Sequence, residues 1–187
     1  MEKDRIEVYG ILIRQFLEGK EEAFGLLVRK HQDRVLNIVY SLIGNDRESD
    51  DILQEVFLKV YYNLKDFKDA AKFSTWLYRI TVNTTYDFLR RRRHVVYQED
   101  SKEEITIPKE NLLGEIYDKE KKELIQAALD RLSFKYRLVV VLKDIEGLSY
   151  FQISKVIGRG IGTVESRLFR ARQLLKRILI NLKGEIR

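Results

Sequence analysis

Aromatic and cationic side chains occur together in "KFSTWLYRITVN" at 72–83, and four consecutive arginines follow at 90–93. Aromatic rings stack on unpaired bases and cationic side chains bind phosphates, so this combination is typical of a nucleic-acid-binding surface. Trp76 and Ile80 lie four residues apart, on one side of a helix. We expect most of this apolar stripe to pack the core, and bases to contact the preceding loop and the polar side of the helix.

Few residues are available for other kinds of chemistry. Cysteine is absent, which excludes disulfides, thiolate metal ligands and thiol nucleophiles. The two histidines, His31 and His94, are too far apart in sequence to form a helix-spaced metal pair. The closely spaced glycines at 158–162 follow a helical pattern rather than a strand, so they do not form a dinucleotide motif. We therefore expect no enzyme activity, no cofactor, no metal and no small-molecule substrate.

Composition favours a helical protein with a polyanionic partner. The 187 residues carry a net charge of +6, with one proline and ten glycines. Long stretches rich in Leu, Ile, Lys, Arg and Glu favour helices. The N-terminal decapeptide is polar, and the longest apolar runs are far too short to cross a bilayer. We expect a cytoplasmic protein without membrane insertion.

Apolar residues recur with helical spacing on both sides of an acidic segment. The helical patterns cover 6–17, 21–43, 47–64, 74–93 and 119–142. The segment 95–118 has seven acidic residues against two lysines and contains the only proline. The sequence therefore predicts an all-α protein with two small helical domains, 1–94 and 119–187, joined by a flexible acidic linker at 95–118.

The second domain carries the pattern of a helix-turn-helix. Ser149 and Gln152 have the spacing of a capping box, Gly158 ends a short helix, and a longer helix begins at Thr163. The longer helix has one apolar stripe and a polar, basic opposite side. In a helix-turn-helix the second helix enters the major groove. The alternative is an ordinary helical hairpin with a solvated basic face.

Four segments of the chain carry a family pattern, in the order "GKEEAFGLLVRKHQDRVLNIVYSLIG", "DDILQEVFLKVY", "FSTWLYRITVN" and "LSYFQISKVIGRGIGTVESRLFRARQLL". Together they resemble the bacterial RNA polymerase sigma factors of the extracytoplasmic-function (ECF) group, within the sigma-70-type family. The resemblance covers nearly the full chain. It implies a factor that binds core RNA polymerase, directs it to specific promoters and promotes DNA melting, with region 2 in the first domain and region 4 in the second.

The resemblance also implies partners and contact residues for the first domain. The partners are core RNA polymerase (the clamp helices of its largest subunit and the flap of its second-largest), promoter DNA and an anti-sigma factor. The residues expected to bind polymerase are Asp51, Gln54, Glu55 and Leu58. Those expected to contact the minus-ten element are Phe67, Lys68, Lys72, Arg79 and Asn83.

Further residues are expected to contact duplex DNA. The candidates for the DNA backbone are Arg90, Arg91, Arg92, Arg93 and Arg159, although a solvated helix end would also explain the arginine run. The candidates for the minus-thirty-five element are Thr163, Glu165, Ser166, Arg167, Phe169 and Arg170. The chain departs from the family pattern at Glu165, where a basic residue is common, and at Gly160, where proline is usual. A carboxylate can accept a hydrogen bond from the cytosine amino group, so Glu165 is expected to alter base preference.

Two other classes of DNA-associated protein are possible. A response regulator or repressor could carry the same C-terminal motif, but it would need an α/β receiver or a ligand domain in front of it. The first 94 residues show no strand pattern. A eukaryotic basic nuclear protein would account for the four arginines but not for "DDILQEVF". A sigma factor is expected to bind promoter DNA poorly alone, whereas a repressor binds its site without polymerase.

Overall fold

Eight α-helices make up most of the computed structural model, which describes residues 2–44, 46–67, 73–98 and 116–185. The helices are α1 Glu2–Leu17, α2 Glu21–Ile43, α3 Asp46–Asn63, α4 Phe73–Gln98, α5 Ile116–Asp130, α6 Phe134–Val140, α7 Tyr150–Ile157 and α8 Ile161–Glu185. No strand occurs within these ranges. The all-α prediction is confirmed.

Helix α2 is the centre of the first domain and contacts α1, α3 and α4. Its residues Leu27, Val35 and Ile38 are buried because the helical period places them on sides that face these neighbours. The helix ends at Gly44, whose φ of 72° lies in the left-handed region that glycine adopts without strain. The 21–43 prediction for this helix is confirmed at both ends.

Polar side chains help to fix α4 against α3. The buried hydroxyls of Thr81 and Thr85 donate hydrogen bonds to carbonyls of their own helix, at 3.0 and 2.9 Å. The Nζ of Lys59 on α3 donates to Thr84 Oγ1 at 3.1 Å. Because buried polar groups are costly without partners, these bonds allow α4 to bury a side that includes threonines.

The prediction of one helix over 119–142 is wrong. Helix α5 ends at Asp130, and α6 begins after Ser133, whose backbone is extended. The guanidinium of Arg137 donates to the carbonyls of Asp130 and Leu132 at 2.8 and 3.3 Å. These bonds satisfy carbonyls that the end of α5 leaves open. After α6 the chain forms a π-helical turn, Val141–Ile145.

The helix-turn-helix prediction is confirmed at the level of individual bonds. The Ser149 side chain accepts from the Gln152 amide at 3.2 Å, and the Gln152 side chain accepts from the Ser149 amide at 2.8 Å. Gly158 ends α7 with a φ of 64°. Helix α8 begins at Ile161, two residues before the predicted Thr163.

The two domains pack against each other. Helix α4 contacts α7, and α2 contacts α5, α6 and the π-helical turn. Arg137 Nη1 donates to the Leu42 carbonyl at 2.7 Å, and the rings of Tyr86 and Phe134 lie 5.3 Å apart. The predicted linker, 95–118, overlaps the end of α4 and the start of α5. Its acidic stretch, 99–115, lies outside the described residues. The exact domain limits stay a prediction.

His31 is a buried titratable group in the first domain. Its ring is 3% exposed and lies between the rings of Tyr9 and Phe73, with centroids 5.2 and 5.4 Å away. Neither ring nitrogen has a hydrogen-bond partner among the described residues. Burial first, and then the charges of Arg34 and Lys30, lower the pKa of His31 to about 4.

This burial predicts a loss of stability in mild acid. An unfolded histidine has a pKa near 6.5, so below that pH the unfolded chain binds a proton that the folded chain excludes until about pH 4. Between pH 7.5 and 5.0 this group alone should lower the free energy of unfolding by about 2 kcal/mol. Urea denaturation of His31→Phe should show a pH dependence smaller by that amount, and His94→Phe removes the other histidine as a comparison. Wild-type pH dependence in His31→Phe would contradict the assignment.

Candidate polymerase and nucleic-acid interfaces

Helix α3 presents the four predicted polymerase-binding residues on one side. Their spacing of three and four residues places Asp51, Gln54, Glu55 and Leu58 in a single stripe. Asp51 and Gln54 are exposed, and Glu55 is half-buried. Leu58 is 56% exposed and adds an apolar side chain to this stripe. The stripe combines carboxylates with an apolar contact, which suits a basic protein partner.

Glu55 is held as a carboxylate by two cations. Lys59 Nζ lies 2.7 Å from one of its oxygens, and Arg91 Nη2 lies 3.4 Å from the other. The hydrogen bond from Lys59 is the largest cause, with help from the Arg91 charge, of a pKa for Glu55 below its usual range. The residue therefore carries its negative charge at neutral pH.

The consecutive arginines at the end of α4 point in different directions. Arg90 pairs with Asp87 on its own helix at 3.4 Å. Arg91 and Arg92 reach across to α3 and pair with Glu55 and Glu48, the latter at 2.9 Å. The Arg93 side chain lies outside the described part of the chain. Binding of these arginines to the DNA backbone stays a prediction, and two of them are paired with α3 in this structure.

A cleft of about 880 Å³ lies along the polar side of α4. Three of the predicted minus-ten residues line it: Phe67, Arg79 and Asn83. Arg79 and Asn83 are exposed, and the Phe67 ring stacks on Trp76 with centroids 4.8 Å apart. The other two, Lys68 and Lys72, fall outside the described residues.

The aromatic stripe of α4 divides between the core and this cleft. Phe73 and Leu77 are fully buried, as expected for a core stripe. Trp76 packs against the core but keeps an exposed part that lines the cleft. The stripe is therefore mainly structural, with the indole at the boundary between core and cleft.

The opposite wall of the cleft comes from α7 and was not identified from sequence. Phe151, Gln152 and Lys155 line it, and all three are exposed. The Lys155 ammonium lies 5.2 Å from the Phe151 ring centroid, a cation–π contact on the helix surface. The i, i+4 spacing of these two residues is visible in the sequence, but their position opposite Trp76 depends on domain packing.

The first turns of α8 present the predicted minus-thirty-five residues. Glu165, Ser166, Phe169 and Arg170 are exposed, and Thr163 and Arg167 are half-buried. The Phe169 ring is 67% exposed. Val164, Leu168 and Ala171 on the opposite side are buried, so the helix is fixed with its polar side outward. Arg159 is exposed in the turn that precedes the helix.

One basic residue of α8 has an internal role. Arg172 Nε donates to Asp144 Oδ2 at 3.2 Å, and a second bond joins the same two side chains. Asp144 lies in the π-helical turn, so this bidentate pair ties the middle of α8 to the turn that follows α6. The pair helps to set the direction in which the exposed side of α8 faces.

The described ranges hold neither a cluster of metal ligands nor a membrane-spanning helix. They contain no group of three or more histidine or acidic side chains that could hold a metal ion. Within the same ranges, every helix is too short or too polar to cross a bilayer.

Comparison with protein families gives two matches in chain order. Residues 27–95 match the Sigma-70 region 2 family, which covers α3 and most of α2 and α4. Residues 122–175 match the Sigma-70 region 4 family, which covers the helix-turn-helix.

Individual relatives match over most of their length. The ECF RNA polymerase sigma factor SigW of Bacillus subtilis is 35% identical over 91% of this chain and 96% of its own. The ECF RNA polymerase sigma-E factor of Escherichia coli K12 is 32% identical over 88% and 91%. The structure of CnrH in complex with the cytosolic domain of CnrY has a TM-score of 0.71 at 26% identity, over 93% of this chain and 98% of CnrH. The chain belongs to the extracytoplasmic-function group of sigma-70-type RNA polymerase sigma factors.

Proposed function

We propose that this chain binds core RNA polymerase, directs it to specific promoters and promotes DNA melting when transcription begins. The observation that carries the proposal is the agreement between the two family matches and the two exposed faces, on α3–α4 and on α8. Sigma factors are non-catalytic initiation factors, so the chain is not an enzyme on this proposal. Its place of action is the cytoplasm, where polymerase and promoter DNA meet.

The α3 stripe is the proposed contact with polymerase. Asp51 and Glu55 supply negative charge, and the exposed Leu58 supplies apolar area beside them. Such a surface is complementary to the clamp helices of the largest subunit if those present basic residues. The second domain would meet the flap of the second-largest subunit.

The α4 cleft is the proposed contact with the minus-ten element. Extruding a base from the stack costs a few kcal/mol, so a protein must offer stacking surface and hydrogen bonds in return. Trp76 and Phe67 provide aromatic surface, and the Asn83 amide can both donate and accept. Arg79 adds a positive charge for the phosphates.

With the two domains packed as described, the chain cannot contact both promoter elements at the same time. The minus-ten and minus-thirty-five elements lie about 25 base pairs apart, roughly 85 Å along B-form DNA. Helix α7 of the DNA-reading motif packs directly on α4, and packed helix axes lie about 8–10 Å apart. On this proposal, polymerase holds the two domains apart in the initiating complex.

An anti-sigma factor is a further proposed partner. CnrH, which resembles this chain over nearly its whole length, was solved bound to the cytosolic domain of CnrY. A protein that binds both helical domains would stabilise their mutual packing and keep the α4 cleft covered.

The polymerase contact predicts a sharp difference between two neighbouring acidic residues. Asp51→Asn removes a charge from the proposed docking stripe, whereas Asp50→Asn removes an exposed charge that the family motif does not require. Loss of one interfacial charge can cost a few kcal/mol where it is desolvated. Run-off transcription with core polymerase at limiting chain concentration should fall at least about tenfold for Asp51→Asn. Equal transcription from both variants would contradict the assignment.

The domain packing predicts that a locked chain is inactive. The chain has no cysteine, so Tyr86→Cys with Phe134→Cys introduces the only two thiols, at positions whose rings lie 5.3 Å apart. A short cleavable thiol cross-linker should abolish run-off transcription while leaving polymerase binding through α3, and cleavage should restore transcripts. The same double variant blocked with two monofunctional reagents is the control. Undiminished transcription from the cross-linked chain would exclude a need for opening.

The position of Glu165 predicts a change in promoter preference. Its exposed carboxylate at the start of α8 can accept a hydrogen bond from cytosine, and a lysine cannot. A randomised-promoter selection with Glu165→Lys should recover a different preferred base at one minus-thirty-five position. Gln173→Lys, which adds a lysine farther along the same helix, should keep the wild-type preference. An unchanged preference for Glu165→Lys would remove its role in base reading.

A further inference from the structure

A groove of about 490 Å³ between α3 and α4 brings together residues that the sequence assigned to different partners. Carboxylates of α3 and guanidinium groups of α4 line its sides, and apolar side chains line the remainder: Glu48, Asp51, Glu55, Arg91, Arg92, Ile52 and Phe88. Glu55 belongs to the proposed polymerase contact, and Arg91 to the proposed DNA backbone contact. In this structure the two side chains bind each other.

Glu55 contacts two cations at different distances. Its Oε1 lies 2.7 Å from Lys59 Nζ, a short contact that the i, i+4 spacing favours. Its Oε2 lies 3.4 Å from Arg91 Nη2, which is longer than an optimal charged hydrogen bond. Arg91 is therefore the more weakly held of the two cations.

The pair is exposed enough to be exchanged. The side chains of Arg91 and Glu55 are 62% and 36% exposed, and water screens such pairs so that they contribute little to stability. A cation from a docked protein surface, brought close to Glu55 in a drier interface, competes well with a loosely held arginine. The exchange therefore needs no rearrangement of the fold.

We propose that docking of polymerase on Glu55 releases Arg91 to bind promoter phosphates. The inference rests on the proposed function, because it requires both the α3 contact and DNA binding by α4. In the free chain the carboxylate neutralises the arginine, which weakens binding to DNA. In the complex the partner's cation binds the carboxylate, and Arg91, near the C-terminal end of α4, loses the neighbour that neutralised its positive charge. Polymerase docking and DNA affinity are thereby coupled through one ion pair.

Arg92 provides an internal comparison. It bridges the same two helices, to Glu48 at 2.9 Å, and its pair is less exposed, at 44% and 28%. Glu48 is outside the residues proposed to bind polymerase. Arg92 therefore stays paired in both states, so that only its neighbour responds to docking.

The test is the salt dependence of DNA binding by the full chain, alone and on core polymerase. Each phosphate contact contributes about 0.9 to the slope of log affinity against log salt concentration. Fluorescence anisotropy with a labelled promoter duplex measures that slope. The titration runs from about 50 to about 200 mM KCl, the range over which phosphate contacts weaken most visibly. Arg91→Gln should leave the slope of the free chain unchanged and reduce that of the polymerase complex by about 0.9. Arg92→Gln should change the two slopes by the same amount, because its pair with Glu48 does not respond to docking.

A second pair of variants tests the free state. Glu55→Gln removes the neutralising charge, so the slope for the free chain should rise by about 0.9. Lys59 also loses its partner in this variant, and the double variant Glu55→Gln with Arg91→Gln identifies the responsible cation. The rise should vanish in the double variant. A rise that persists there would assign it to Lys59 and overturn the proposal.

Other outcomes are equally decisive. Equal effects of Arg91→Gln on both slopes, or no effect on either, would overturn the release of Arg91. A slope that Arg92→Gln reduces on polymerase but not for the free chain would show that release does not depend on Glu55. If the wild-type chain joins polymerase and initiates transcription but the measured slopes differ from those expected, only this inference fails. If the wild-type chain does not join polymerase, the proposed function fails with it.

Discussion

The carbonyl end of α2 is a partly buried helix terminus, and its need for hydrogen-bond donors connects the two domains. A helix leaves its last carbonyls without partners, and they cannot be left dry between packed elements. Gly44 turns the chain away in a left-handed conformation, and Arg137 from α6 donates to the Leu42 carbonyl. A Cβ on Gly44 would lie 3.1 Å from an Asp130 carboxylate oxygen, so α5 also packs closely there.

Arg137 can occupy this position because its guanidinium has several partners. It bonds carbonyls from both domains and pairs with Asp130 at 3.0 Å. Burial lowers the pKa of Arg137, and the Asp130 charge opposes that change. Removing one partner of a buried charge is costly, so the bonds from its Nη atoms hold the guanidinium in place, although its Nε has no partner among the described residues. Arg137, which bonds the carbonyls at the end of α5, thus also holds the second domain against the first.

This packing determines what each functional surface meets in the free chain. The α4 cleft meets α7, so the surface proposed to hold unpaired bases is shared with the DNA-reading motif of the second domain. The α3 stripe remains open, with Leu58 and Gln54 exposed. The free chain therefore offers its proposed polymerase contact more readily than its proposed minus-ten contact in the α4 cleft. That order suits a factor that reads promoters only together with polymerase.

Local sequence was sufficient to predict the helices but not which helices pack against one another. The 3.6-residue period, the Ser149–Gln152 capping box and the turn at Gly158 are interactions between near neighbours, so they could be predicted, and with them the all-α class and the helix-turn-helix. The break after Asp130 was missed because apolar spacing continues through it and its donor, Arg137, lies seven residues away. The pairing of Arg91 with Glu55 spans 36 residues, and the placement of α7 opposite Trp76 spans still more. Such contacts depend on how helices cross, and helix periodicity carries no information about the neighbour that a given side will meet.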